Sequence, residues 1–279
     1  MAMSNAQCVM RNELVPSSQF LVPKVAASDF DGTLFRGETI LAEDVAAIKS
    51  WRAAGNKFGI VTGRCYPMLT SRLKDFDITL DFAICDNGAI IFDGAEQVIF
   101  ETALSTEILL ALMNEPCAAK SFHFLFEAAD EVFCVGVGEK SWVWREKIHW
   151  EKFLTFTDAA QVATLPKKIN QLALGFETAE EAQLAAETLN REFAAQIFAQ
   201  RNTYSLDIVT AGINKAQGVS KLLELNDWRG KILVIGDESN DLPMIRRFNG
   251  CTVSTAKDFV KREAAAVFDS VGDMLKNFS

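Results

Sequence analysis

The stretch VAASDFDGTLF, residues 25–35, ends an apolar run in two aspartates, Asp29 and Asp31, followed at once by Gly32 and Thr33. Residues i and i+2 of an extended segment face the same way, so both carboxylates address one small volume. Like charges that close raise each other's pKa unless a cation lies between them. The ordinary reading is a turn stabilised by Asx side chains. The other reading is half of a site for something positive, in which one carboxylate attacks and its neighbour moves protons.

Further polar clusters follow later apolar runs and favour the second reading. They are Thr62, Gly63 and Arg64 after KFGIV, Lys215 after SLDIVTAGIN, and Asp237, Asn240 and Asp241 in IGDESND. Together these groups suit phosphoryl transfer. Asp237 supplies a third acidic group, and a hard cation such as Mg²⁺ takes one or two carboxylates along with water and phosphate oxygens. Lys215 compensates the charge of the attacking carboxylate. The Thr62 hydroxyl and nearby backbone N–H groups hold a phosphate oxygen. A covalent aspartyl-phosphate divides one very slow hydrolysis into two easier steps. Arg64 is a candidate substrate or phosphate contact. Each cluster also has a plainer role: Thr62 as a helix N-cap, Arg64 in a structural ion pair, Lys215 on an exposed helix start, and Asp237–Asp241 as a capping cluster. Asn87 and Gly88 form an ordinary turn pair, and Asn87 is the candidate substrate contact of the two.

The elements that must position these groups read as an α/β fold, a Rossmann-like parallel-sheet core with an inserted α+β cap. KVAAS, KFGIVTG, FAIC and KILVIGD are short apolar strands that alternate with helical patterns. In LAEDVAAIKSWRAAG, Leu41, Val45, Ile48 and Trp51 or Arg52 fall at helical spacing, and Gly55 follows as a C-terminal stop. YPMLTSRLKDF tolerates Pro67 near a helix start. Ligands of open α/β sheets bind at the C-terminal strand ends, where the polar clusters are expected to converge. From IIFDGAEQVIF, a hairpin around Asp93-Gly94, the pattern changes. A mixture of strands and helices follows, including a helix near 141–153 and TAEEAQLAAETLNREF with Ala179, Ala182, Leu184 or Ala185, and Leu189 on one stripe. YSLDIVT reads as the return to the core, and KREAAAVFD as a solvated helix face. The expected division is an extension over 1–22, a core of 23–90 and 200–279, and a cap of 91–199 that sets substrate specificity.

Composition narrows the function. The chain of 279 residues is 49% hydrophobic and 23% charged, with a net charge of −9. That charge, without any Lys/Arg cluster, argues against a nucleic-acid partner. The apolar runs fall far short of the roughly 20 residues of a membrane span, so no membrane partner is expected. Six cysteines without C-x-x-C spacing and only two histidines, His123 and His149, make zinc improbable. The first twenty residues lack an apolar h-region, so a reduced, cytoplasmic setting is the default. His123 reads as a cap-strand side chain. Trp142, Trp144 and Trp150 either pack the cap or line its pocket. No G-x-G-x-x-G follows a strand, which removes a dinucleotide-binding reading.

DFDGT, VTGR, INKAQGV and GDESND resemble, in order and spacing, the four motifs of haloacid dehalogenase-like phosphatases. CDNGAII and the placement of the insertion resemble the Cof-type subfamily with a type-II (IIB) α/β cap, and the resemblance runs from about residue 23 to the end. It implies Asp29 as nucleophile and Asp31 as the acid–base that protonates the leaving alcohol and then activates water. It also implies Thr62 as a phosphate ligand, Lys215 as stabiliser of the aspartyl-phosphate, and Asn240 orienting phosphate or nucleophile. Mg²⁺ would be held by Asp29, the Asp31 carbonyl and Asp237, with Asp241 in support. Phe30 stands where Leu is more usual and GDES replaces the commoner GDG run; neither touches a chemical role. The implied activity is hydrolysis of a small phosphorylated metabolite by a monomer or small homo-oligomer. A phosphomutase and a non-catalytic sensor of such a metabolite remain as alternatives.

Overall fold

The computed structural model describes residues 22–136, 141, 143 and 149–279. Residues 1–21 of the expected extension, and Trp142, Trp144 and residues 145–148 of the helix expected near 141–153, lie outside the described residues. In chain order the elements are β1 (Val25–Ser28), α1 (Ala42–Ala53), β2 (Lys57–Val61), α2 (Tyr66–Leu73), β3 (Phe82–Cys85), β4 (Ile90–Asp93), β5 (Val98–Glu101) and α3 (Thr106–Met113). Next come β6 (Phe124–Glu127), β7 (Val132–Val135), β8 (Leu154–Phe156), β9 (Gln171–Gly175), α4 (Ala179–Glu192), β10 (Ile197–Asn202) and β11 (Ser205–Thr210). The chain closes with α5 (Lys215–Leu225), β12 (Ile232–Gly236), α6 (Leu242–Phe248), β13 (Cys251–Val253), α7 (Asp258–Lys261), β14 (Ala266–Phe268) and α8 (Val271–Phe278).

The strands form two sheets. The larger has the order β14-β13-β12-β1-β2-β3-β4-β5, parallel from β14 to β3 and antiparallel over β4 and β5. Apart from the edge strand β14, its parallel strands are buried on both faces, which is why they are near-continuous apolar runs. Ala26, Phe58 and Ile60 pack on one face with Trp51 of α1, whereas Val25, Ala27, Val61 and Ile84 pack on the other with Val219 and Leu222 of α5. Trp51, not Arg52, completes the buried stripe of α1, and its indole N–H donates to the Lys57 carbonyl at 2.9 Å. Pro67 sits in the first turn of α2 as expected. The second sheet, β10-β11-β9-β6-β7-β8, is antiparallel except for the β7–β8 pair. It buries its own apolar cluster against α3 and α4, where Ala182, Ala185, Ala186 and Leu189 face inward and Leu184 is exposed.

Sheet membership moves the expected division at both ends. The hairpin β4–β5 extends the core sheet, because Ile90, Ile91 and Phe92 are buried in core clusters. Residues 91–101 therefore pair with the core rather than the cap. β11 does not return to the core: it pairs with β9 and β10, with Leu206 and Ile208 packed in the cap cluster. The segment KREAAAVFD is likewise not one helix face. It leaves α7 and becomes the edge strand β14, with Val267 turned outward.

Candidate active site

The strand order β12-β1-β2 places three chain ends side by side. Ser28 is in register with both Ile235 and Ile60, so Asp29, Thr62 and Asp237 leave the sheet at one level. Each strand continues just past its pairing: the Asp29 N–H donates to the Ile235 carbonyl at 2.9 Å and the Thr62 N–H to the Ile84 carbonyl at 2.8 Å. Lys215 differs from the expectation that it too ends a core strand. It is the first residue of α5, after the last cap strand, and Asn214 caps that helix by accepting from the Gln217 N–H. Gly88 lets this helix start come close; at its φ of +105°, a Cβ would lie 2.4 Å from the Asn214 carbonyl oxygen.

Lys215 is buried between two carboxylates, with Nζ 2.6 Å from Asp29 Oδ1 and 2.6 Å from Asp241 Oδ1. Burial alone would lower its pKa, but Asp241 and Asp29 outweigh it and keep the ammonium charged. Burial pushes the Asp29 carboxyl well above its usual range, the Asp241 and Asp237 carboxylates add to this, and Lys215 pulls it back. Asp241 is fully engaged: its Oδ2 accepts the N–H groups of Asp237 and Glu238 at 2.9 and 3.0 Å. It thus shapes the loop that presents Asp237. Burial also raises the Asp237 carboxyl, partly offset by the Thr33 hydroxyl, which donates to Oδ1 at 2.6 Å. Gly32 brings the two strand ends together, since a Cβ there would meet Asp237 Oδ2 at 2.4 Å.

Carboxylate oxygens of Asp29, Asp237 and Asp241 lie within 4.8 Å of one another. A crowded, buried, all-oxygen donor set fits a hard divalent cation, which would relieve the repulsion that drives Asp29 upward. Asp31 stands apart from this cluster. Its carboxylate is gripped by Arg64 through a two-pronged ion pair, Nε to Oδ2 and Nη2 to Oδ1, both 2.7 Å. The Arg64 guanidinium also stacks over the Phe30 ring, so the larger residue in place of Leu has a contact of its own.

A cleft of about 740 Å³ opens from these groups into the space under the cap. Asp29, Asp31, Gly63, Arg64, Asp237 and Asn240 line the core side. Phe122, Trp150, Phe176 and Tyr204 form an aromatic wall from the cap, and Asn202, Ser205 and Asp207 add polar groups. His123 stays out of this wall; it is buried just before β6, its Nδ1 is 2.7 Å from the Ser141 hydroxyl, and burial pushes it down to about 4.

Asn87 is not free to bind substrate as expected. Its Nδ2 donates to Gln171 Oε1 at 2.9 Å and Asp207 Oδ2 at 3.0 Å, and its Oδ1 accepts from Asn240 at 3.3 Å. It ties the core to the cap instead. Gln171 in turn donates to the Gly63 carbonyl and to Glu127. Sequence reasoning missed Thr33, Glu127, Gln171 and Asp207. The last three had a visible signal: each is a buried polar residue in or at the end of an otherwise apolar cap strand.

A family model for haloacid dehalogenase-like hydrolases matches residues 26–273. The chain belongs to this family. Among similar proteins, it is 24% identical over 268 residues to the pyridoxal phosphate phosphatase YbhA of Escherichia coli, covering 92% of this chain and 98% of that one. It is 23% identical over 257 residues to the 5-amino-6-(5-phospho-D-ribitylamino)uracil phosphatase YitU of Bacillus subtilis, covering 87% and 90%. A HAD/COF-like hydrolase from Plasmodium vivax superposes with a TM-score of 0.77 at 20% identity, over 93% of this chain and 96% of that one. The family is thus the one the four motifs resemble, on the expected α/β fold with an inserted second sheet. Among the described residues, no helix is long and apolar enough to cross a membrane.

Proposed function

We propose that this hydrolase is a phosphatase that removes the phosphoryl group from a small phosphorylated metabolite, a sugar phosphate or related phosphomonoester. The observation that carries the reading is the cluster of Asp29, Asp237 and Asp241 around buried Lys215, beside an Asp31 held at the cleft. Asp29 attacks phosphorus and the bond to the leaving oxygen breaks. Asp31 gives that oxygen its proton, so the alcohol departs neutral. Asp31 then takes a proton from the water that attacks the aspartyl-phosphate, which releases inorganic phosphate, frees the Asp29 carboxylate and returns Asp31 to its protonated form. Lys215 keeps Asp29 from paying the full cost of ionisation in a buried site. Thr62, the Gly63 N–H and Asn240 hold phosphate oxygens, while Arg64 aims Asp31 toward the cleft.

Asp29, Asp237 and the Asp31 carbonyl would hold Mg²⁺, with Asp241 supporting from behind. When bound, Mg²⁺ supplies charge neutralisation for the transferring phosphoryl group. The core (residues up to about 101 and from about 211) then carries the chemistry, and the cap between them chooses the substrate. A cleft of about 740 Å³ lies within the usual size for small-molecule sites.

The test is phosphate release from an aryl phosphate and a panel of metabolite monophosphates, with and without Mg²⁺. Pyridoxal phosphate and 5-amino-6-(5-phospho-D-ribitylamino)uracil belong on that panel because of the relatives named above. Metal-dependent release that Asp29→Asn abolishes is expected. No release from any compound by folded, Mg²⁺-supplied protein would refute it and leave a mutase or a sensor.

A further inference from the structure

Three consecutive carbonyls follow β2 in the loop Thr62-Gly63-Arg64. The first and third are paired within the core: Thr62 O accepts from the Asn87 N–H at 3.0 Å and Arg64 O from the Asp86 N–H at 3.1 Å. The middle one is different. Gly63 O accepts from Gln171 Nε2 at 2.9 Å, a side chain of the cap strand β9. Gln171 is buried and has no freedom to turn. Its Nε2 also donates to Glu127 Oε2 at 2.7 Å, and its Oε1 accepts from Asn87 at 2.9 Å. The approach is close: a Cβ at Gly63 would lie 3.0 Å from Asn87 Nδ2 and 3.3 Å from Asp207 Oδ2.

A peptide unit is planar, so fixing one edge fixes the other. The Gly63 carbonyl shares its plane with the Arg64 N–H, and that N–H donates to Thr62 Oγ1 at 3.1 Å. With a donor already on its oxygen, the Thr62 hydroxyl is left to point its own proton away from the loop. We propose that Gln171 is a positioning residue for phosphate binding: by seating on the Gly63 carbonyl, the cap sets the 63–64 peptide plane and through it the donor direction of Thr62. The inference rests on the phosphatase reading, and goes beyond it by making affinity for phosphate itself depend on a cap residue.

The experiment is calorimetric titration of inorganic phosphate into Mg²⁺-supplied protein, for wild type, Gln171→Met, Thr62→Val and the double variant, with Tm recorded for each. Inorganic phosphate carries no leaving group, so a direct contact between Gln171 and the rest of a substrate does not register. Losing one hydrogen bond to a charged ligand corresponds to a Kd raised about tenfold or more. Each single variant is expected to show that rise, and the double no more than the larger single, because both act through one hydroxyl. A Gln171→Met protein whose phosphate Kd is unchanged, whatever its Tm, overturns the proposal. So do effects that multiply in the double variant. Should Gln171→Met not fold, Gln171→Glu keeps the length, replaces the donor by an acceptor, and is expected to raise the Kd likewise. A wild type that binds phosphate but hydrolyses nothing refutes the phosphatase reading alone.

Discussion

Asp86, in the turn after β3, and Glu127, at the end of β6, meet across the core–cap boundary, both buried. Neither carboxylate oxygen of Asp86 accepts a hydrogen bond from a donor among the described residues, and the Glu127 carboxyl is near enough to raise its pKa further. Two buried carboxyl groups that interact repel each other unless the pair keeps a proton. Burial pushes Asp86 well above its usual range, with the Glu127 charge adding to it. Burial, then Asp207, pushes Glu127 from 4.5 up to about 8, against the pull of Gln171, Asp86 and Arg64. The sign follows from linkage. Between pH 4.5 and about 8 the folded protein holds a proton that the unfolded chain has released, so stability falls as pH rises through that window and levels off above it. One proton gives a slope of at most about 1.4 kcal/mol per pH unit, so the loss across the window is on the order of 4 kcal/mol. At roughly 2–4 °C per kcal/mol for a chain of this size, that is a Tm lower by about 10 °C at pH 8 than at pH 5.

Glu127→Gln removes the Glu127 titration while keeping an oxygen for Gln171 and adding a donor for Asp86, which lowers the Asp86 pKa. Melting curves of wild type and variant, taken every half unit of pH, should converge near pH 5 and separate toward pH 8, with the variant the more stable there. Asp207, pushed by burial from 3.8 to about 6, shifts both proteins alike below pH 6 and drops out of the difference. Curves that stay parallel from pH 6 to 8 would show that no proton is shared, and the argument from burial would be wrong.

Two other substitutions probe the charged centre. Lys215→Met leaves Asp29 and Asp241 buried without their cation, a break that costs about 3–5 kcal/mol; scanning fluorimetry should show a large Tm loss in chelator and a larger Mg²⁺-induced rise than in wild type, and equal rises would refute the shared cation site. Arg64→Lys keeps the charge but loses the fork that grips Asp31; with the pair partly exposed, Tm should hardly move, while kcat/KM for the best substrate should fall about tenfold or more, and an unchanged value would remove Arg64 from the positioning of Asp31.

The core was legible because a parallel strand buried on both faces is an apolar run and nothing else, and because the chemistry sits where such runs stop. Asp29, Thr62 and Asp237 each follow one. Lys215 lies against Asp29 and Asp241, but not by ending a core strand: the strand it follows belongs to the cap. The clue was alternation. In SLDIVT, Leu206 and Ile208 face the cap core while Asp207 faces the boundary, a period of two that suits an antiparallel strand and not a central parallel one. The hairpin β4–β5 misled in the opposite direction, since a hairpin looks the same whether it opens a new domain or closes an old sheet. Only the burial of Ile90, Ile91 and Phe92 on the core decides it. KREAAAVFD offered no period long enough to separate the end of a helix from a short edge strand.

The boundary between the two sheets is where a single strand's pattern says least, and where it nonetheless left a trace. A buried polar side chain without a partner costs about 1–3 kcal/mol, more if charged. Glu127, Gln171 and Asp207 in apolar cap strands therefore each announced that a partner must exist. They could not announce which. The partners are Asp86, Asn87 and the Gly63 carbonyl, in two loops of the core that the sequence places at least 40 residues away. An apolar face there would have let the cap slide on the core at little cost. A face of amides and carboxyls that bond to particular groups of the core gives the cap one seating, and that seating is fastened to the loop that would hold the phosphate.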